Sequence, residues 1–232
     1  MTEFAASARA AAQQESADSP RRPLYELVVQ SVAARQQLLQ GHAQAALGQA
    51  NALVPRLLEL KFRSTDPEGQ GGFGFRTNIL RNLYQVIAIA SLEQGHYAEA
   101  EKAARARNAL PPNRASDLDP QDEVSRTNVF IAQALLGQGR ADEGRAVVES
   151  ELARYQRLQK SGARGTTFQR DLGYAWYVSA LAQPGTEVGR TERRTRLAQA
   201  TQAIDAASAQ ARELFELRQL AHWIEQARQA AS

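Results

Sequence analysis

Apolar residues recur every three or four positions along most of the chain. Leu80, Leu83, Tyr84, Ile87 and Ala88 form one such run, and no stretch alternates with period two over the length of a strand. The pattern predicts an all-α chain, and glycine and proline mark where its helices stop. Helices are expected over 24–40, ending at Gly41; 43–62, with Pro55 as a kink or break; and 77–94, ending at Gly95. Further helices are expected over 97–109, 120–137, 141–160, 167–182, 191–208 and 209–229. Pro23 suits a first helical turn, where its missing N–H costs nothing. Asp119 suits an N-cap, with Asp122 and Glu123 favourable in the turn that follows. The segments DPEGQGGFGF (66–75) and 111–119 read as loops. Residues 1–19 hold no cluster of large apolar side chains and read as a disordered leader.

Three segments align without gaps: QGHAQAALGQA from Gln40, QGHYAEAEKAA from Gln94 and QGRADEGRAVV from Gln138. Each starts with Gln-Gly and enters a helix. A small residue lies seven positions before each glycine (Ala34, Ala88, Ala132) and another five after it (Ala46, Ala100, Gly144). Two antiparallel helices on a short turn approach closely only where neither carries a bulky side chain. The turn glycine supplies the left-handed backbone that ends the first helix.

This pattern resembles the tetratricopeptide repeat, a helix–turn–helix unit of roughly 34 residues. Residues 81–112 carry the best match: Tyr84, Ile87, Ala88, Gly95, Tyr97, Ala100 and Pro112. Ile131, Ala132, Leu135, Gly139 and Gly144 carry a second, which departs at Ala141, where an aromatic is usual. The pair around Ala34, Gly41 and Ala46 is weaker. A fourth, around Tyr174 and Ala175, lacks the turn glycine and holds an insertion. The turn glycines stand 54 and 44 residues apart, and loops at 63–76 and 111–122 with lengthened helices are expected to absorb the surplus. The resemblance implies antiparallel pairs over about 24–62, 77–112, 120–160 and 167–208, stacked as a right-handed α-solenoid. The 209–232 segment would be its capping helix, with Leu217, Leu220, Ala221 and Ile224 on one stripe.

Composition narrows the chemistry. Ala occurs 43 times and Gln 24 times, both good helix formers. There is no Cys, so disulfides, cysteine-based zinc sites and thiol nucleophiles are excluded. His42 and His96 share the slot after a turn glycine and belong to the repeat; His222 sits beside Trp223. The glycine-rich segment lacks the Lys-Ser/Thr of a phosphate-binding P-loop, leaving a long loop, or a partner-binding loop anchored by Phe73 and Phe75. DLDPQDE (117–123) lacks the glycine and closing glutamate of a calcium loop, and capping accounts for its acids. Arg190, Arg193, Arg194 and Arg196 crowd a helix start, where positive charge opposes the macrodipole. They read as a solvated face, with phosphate binding as the alternative. No catalytic constellation is present, so neither an enzyme nor a cofactor or metal is expected. With a net charge of +3, no apolar run long enough to span a bilayer and no secretory pattern at the N-terminus, the reading is a cytoplasmic protein with no membrane partner.

By resemblance, the first helices of the pairs line a concave face that receives a peptide or a partner helix. The residues expected to point inward are Asn82, Gln85 and Ile89; then Arg126, Val129 and Gln133; then Gln169 and Trp176. A protein-interaction scaffold is therefore the expected function. A regulatory or sensor segment of a larger bacterial signalling or transcription protein is the second reading, and nucleic-acid binding through the arginine cluster the third.

Overall fold

The computed structural model describes residues 2–16, 19, 22–60, 67–111, 120–207 and 215–230, with side chains described at 6–16, 19, 22–60, 76–111, 121–207 and 216–230. The described residues form helices and no strand: α1 (Thr2–Gln14), α2 (Arg22–Leu39), α3 (Ala43–Glu59), α4 (Pro67–Glu93), α5 (Tyr97–Asn108), α6 (Pro120–Gly137), α7 (Ala141–Lys160), α8 (Thr166–Leu181), α9 (Glu187–Asp205) and α10 (Phe215–Gln229). They divide into two compact units, residues 1–120 and 121–232.

The repeated Gln-Gly turns fold alike. Gly41, Gly95 and Gly139 have φ of 82°, 72° and 78°. Each glycine N–H donates three residues back, to Leu38, Leu92 or Leu136, and the next residue's N–H reaches five back, to Gln37, Ser91 or Leu135, at 2.8–3.2 Å. This paired closure satisfies helix-end carbonyls that would otherwise lack partners, and it requires the left-handed glycine. His42, His96 and Arg140 then enter the second helix with nearly equal backbone angles, φ −82° to −90° and ψ 59° to 60°.

The small pairs lie where the helices touch. Ala34, Ala46, Ala88, Ala100 and Ala132 are fully buried. A Cβ added at Gly144 would stand 2.9 Å from the Ala132 carbonyl oxygen and 2.8 Å from Leu136 Cγ, so α6 and α7 approach closer there than alanine permits. In unit 1, α2 packs on α3, α3 on α4 and α4 on α5, around Leu27, Val28, Leu53, Leu57, Leu83 and Val86. Asn51 on α3 donates to Glu99 on α5 at 2.7 Å.

In unit 2 the side-chain pairings give the directions. Arg126–Asp171 and Gln133–Tyr174 run in ascending order on α6 and α8, so these helices are parallel. Arg170–Glu216 and the Tyr177–Trp223 ring pair do the same for α8 and α10. Tyr155–Phe168 and Glu149–Ser179 run in opposite order, so α7 and α8 are antiparallel. Leu217, Leu220 and Ile224 of α10 are buried, whereas Arg218, His222, Glu225 and Gln226 are exposed, which gives α10 one apolar and one polar face.

Several expectations are corrected. Residues 2–14 are helical and α1 packs on α2, with Ala8 and Ala12 buried; small side chains suffice because the neighbour comes close. Most of the 66–75 segment, expected as a loop, is the start of α4, so of the loops and lengthened helices expected to absorb the first surplus, helix extension takes up much of it. Helix α3 continues through Pro55, which removes the break but not the kink expected there. Ala221 is exposed and leaves the α10 stripe. The side chains of Phe73 and Phe75 and the Asp119 cap lie outside the described residues.

The fourth turn closes differently. Without the turn glycine, the α8 C-terminus is held by arginines. Arg145 donates to the Ala182 carbonyl at 2.8 and 3.1 Å, Arg193 to that of Gln183 at 3.0 Å, and Arg190 to that of Gly185 at 2.7 Å. Thr186 accepts from the Gly189 N–H at 3.1 Å, and Pro184 packs so tightly on Gly189 that no side chain fits. Charge that opposes the α9 dipole thus complements the end of α8.

Three glycine substitutions separate these effects by urea unfolding. Gly95→Ala, at φ 72°, is expected to cost about 1–2 kcal/mol through backbone strain. Gly144→Val meets the Ala132 backbone and is expected to cost about 1–3 kcal/mol or more through overpacking. Gly48→Ala in α3 meets nothing within 4 Å and should stabilise by roughly 0.5–1 kcal/mol through helix propensity.

Candidate interaction faces

Helix α4 carries one candidate face. Asn82, Gln85 and Ile89 recur at helical spacing on the side opposite the buried Leu80, Ile87 and Ser91. Asn82 is exposed, and Gln85 and Ile89 are half-buried. The stripe ends one turn later at half-buried Glu93. Burial pushes the Glu93 carboxyl up from 4.5 to about 7. Its place at the negative end of α4 is also unfavourable to a carboxylate. Sequence reasoning passed over Glu93 because an acid in the last turn of a helix looks like ordinary surface.

Unit 2 carries the other face, where α6, α8 and α10 lie side by side. Its N-terminal part is a ladder of charges. Arg126 on α6 grips Asp171 on α8 through two forked bonds, Nε at 3.0 Å and Nη2 at 2.8 Å. Arg170, next along α8, donates to Asp171 at 2.9 Å and to Glu216 on α10 at 2.9 Å. Burial alone would lower the Arg170 pKa, but the Asp171 and Glu216 carboxylates outweigh it and hold the guanidinium charged. One to two turns along, Phe130, Tyr174, Tyr177 and Trp223 form a contiguous ring cluster with centroids 5.4–6.2 Å apart. Gln133 accepts from the Tyr174 hydroxyl.

The expected inward residues of unit 2 therefore separate. Arg126 and Gln133 do lie on the side of α6 that meets α8, but both are engaged there. Val129 is 1% exposed and packs in the core, so it offers no surface. Gln169, 6% exposed, is buried likewise. Trp176 is half-buried on the stripe of Gln169 and Leu172, whereas Arg170, Tyr174 and Tyr177 form the stripe that meets α10. Aromatic and polar types occur in both stripes, and only the neighbouring helix distinguishes them.

The arginine cluster at 190–196 is largely engaged within unit 2. Besides the turn contacts of Arg190 and Arg193, Arg196 binds Glu192 at 2.7 Å, Glu149 and Ser179. Among the described residues, no group of His, Asp and Glu is placed to hold a metal ion. No helix there is long and apolar enough to cross a membrane.

Comparison with protein-family models finds no match, and neither the curated proteins nor the solved structures yield a significant one.

Two measurements probe these faces. Removing Asp171 as Asp171→Ala leaves the 15%-exposed Arg126 side chain without its partner, and denaturant unfolding should show a loss of about 3–5 kcal/mol. For Glu93, the native state binds the extra proton between pH 4.5 and 7, so stability falls as pH rises through that window. Glu93→Gln removes this dependence: its Tm advantage over the parent should be larger at pH 8 than at pH 4, and an advantage independent of pH would refute the shift.

Proposed function

We propose that the chain is a protein-interaction module of tetratricopeptide-like helix pairs that receives a peptide or a partner helix on an exposed helix face. The observation that carries this reading is the stripe Asn82, Gln85 and Ile89. Two amide side chains precede an aliphatic one along a helix whose opposite side is locked into neighbouring pairs. Such a surface supplies hydrogen bonds to peptide backbone over an apolar contact, on a support that need not reorganise. The repeated glycine turns and small-residue contacts support the tetratricopeptide-like part.

In unit 2 the forked Arg126 serves the α6–α8 contact, which moves the proposed recognition in this chain toward α4. Selection of peptides from a library against the intact chain tests the reading. Peptides so obtained should lose at least tenfold in affinity toward Asn82→Ala/Gln85→Ala/Ile89→Ala, with circular dichroism unchanged. Equal affinity for parent and variant would remove α4 as the binding face.

A further inference from the structure

Four side chains between α6, α7 and α8 bear buried polar atoms with no hydrogen-bond partner inside the protein: Ser125 Oγ, Glu151 Oε2, Arg154 Nη1 and Tyr155 OH. Ser125 is fully buried, Tyr155 is 2% exposed and Glu151 8%. Their positions bring them together. Asn128 donates to Glu151 Oε1 at 2.7 Å, and Arg154 Nη2 donates to Asp122 at 2.7 Å. Ser125 lies one turn from both Asp122 and Asn128 on α6, so it faces the same part of α7. Tyr155 follows Glu151 by one turn. The surroundings of Tyr155 agree: burial, then Asp171, push its phenol far above the usual range, Glu151 adds to this, and Arg126 and Arg154 oppose it.

These groups cannot turn out to solvent, because Glu151 and Arg154 are each anchored through their other polar atom. Buried donors and acceptors are nearly always paired, with protein or with internal water. The unpaired set is mixed: an acceptor on Glu151, a donor on Arg154, and two hydroxyls that serve as either. An anion there would face Glu151, a cation would face Arg154, and an apolar molecule would leave all four unpaired. We propose that this junction is an internal binding site for water, with at least one molecule bridging Ser125, Glu151, Arg154 and Tyr155 and joining α6 to α7 beside the Arg126–Asp171 pair. This site is separate from the proposed peptide face and does not depend on it.

High-resolution diffraction and water–protein cross-relaxation in solution, both on the full chain, test it. The expected result is an ordered water within hydrogen-bonding distance of at least three of the four atoms. The carbon-bound ring protons of Tyr155 should show a cross-peak to a long-lived water. Tyr155→Phe keeps the ring, and combined with Ser125→Ala it should abolish that peak while the helical circular dichroism signal persists; Tyr155→Phe alone, the milder change, should weaken it. Direct pairing of Tyr155 or Ser125 with Glu151 and no ordered water would overturn the proposal. So would the lack of a long-lived water peak in the parent, or a buffer molecule occupying the junction.

Discussion

The packing of the repeated hairpins depends on how closely two antiparallel helices approach at a single level. Where Ala132 meets Gly144, even a methyl group would press on backbone. Close approach at that level lets the larger residues around it interdigitate, and burying one leucine contributes on the order of 1.5–3 kcal/mol. The turn cooperates because a left-handed glycine reverses the chain within a few residues and satisfies the helix-end carbonyls at the same time. Turn and contact are therefore one device, repeated at Gly41, Gly95 and Gly139 with nearly the same backbone angles.

The fourth hairpin reaches a similar end by other means. Its turn has no left-handed glycine, and side chains take over the task of meeting the carbonyls. One of the three arginines, Arg145, comes from the preceding α7, so a local turn has become a contact between helix pairs. Gly173 then supplies the small surface in α8, with the Ala200 carbonyl and the Ala203 methyl 3.3 and 3.4 Å from where its Cβ would be. The same physical requirements, a capped helix end and a slim contact, are met by different residue types.

Unit 2 also holds many polar groups among its helices. The ladder from Arg126 through Asp171 and Arg170 to Glu216 links three helices by directional bonds. A buried ion pair contributes less to net stability than its distances suggest, because removing both charges from water costs much of what the attraction returns. Its forked geometry does define which residue of α8 sits beside which residue of α6. In unit 1, by contrast, the stripe on α4 leaves its amide side chains at least partly open to solvent, which is why the binding proposal rests there.

Helix type, the borders at Gly41, Gly95 and Gly139, and the small contact residues were legible in the amino-acid sequence, because each follows from local periodicity or from backbone freedom at one residue. Ala34, Ala88 and Ala132 could be singled out before any coordinates because alanine at a fixed distance from a turn has few other uses. What stayed hidden depended on residues far apart in the chain. That α4 begins at Pro67 despite its glycines, that Arg126 belongs to Asp171 forty-five positions away, and that Tyr174 rather than Trp176 meets α10 were decided by the tertiary structure. Local pattern says which side of a helix is apolar or polar. Which neighbour arrives on that side, and so whether an arginine there is open to a partner or already engaged, is set by packing between helices, for which a single chain carries no periodic signal.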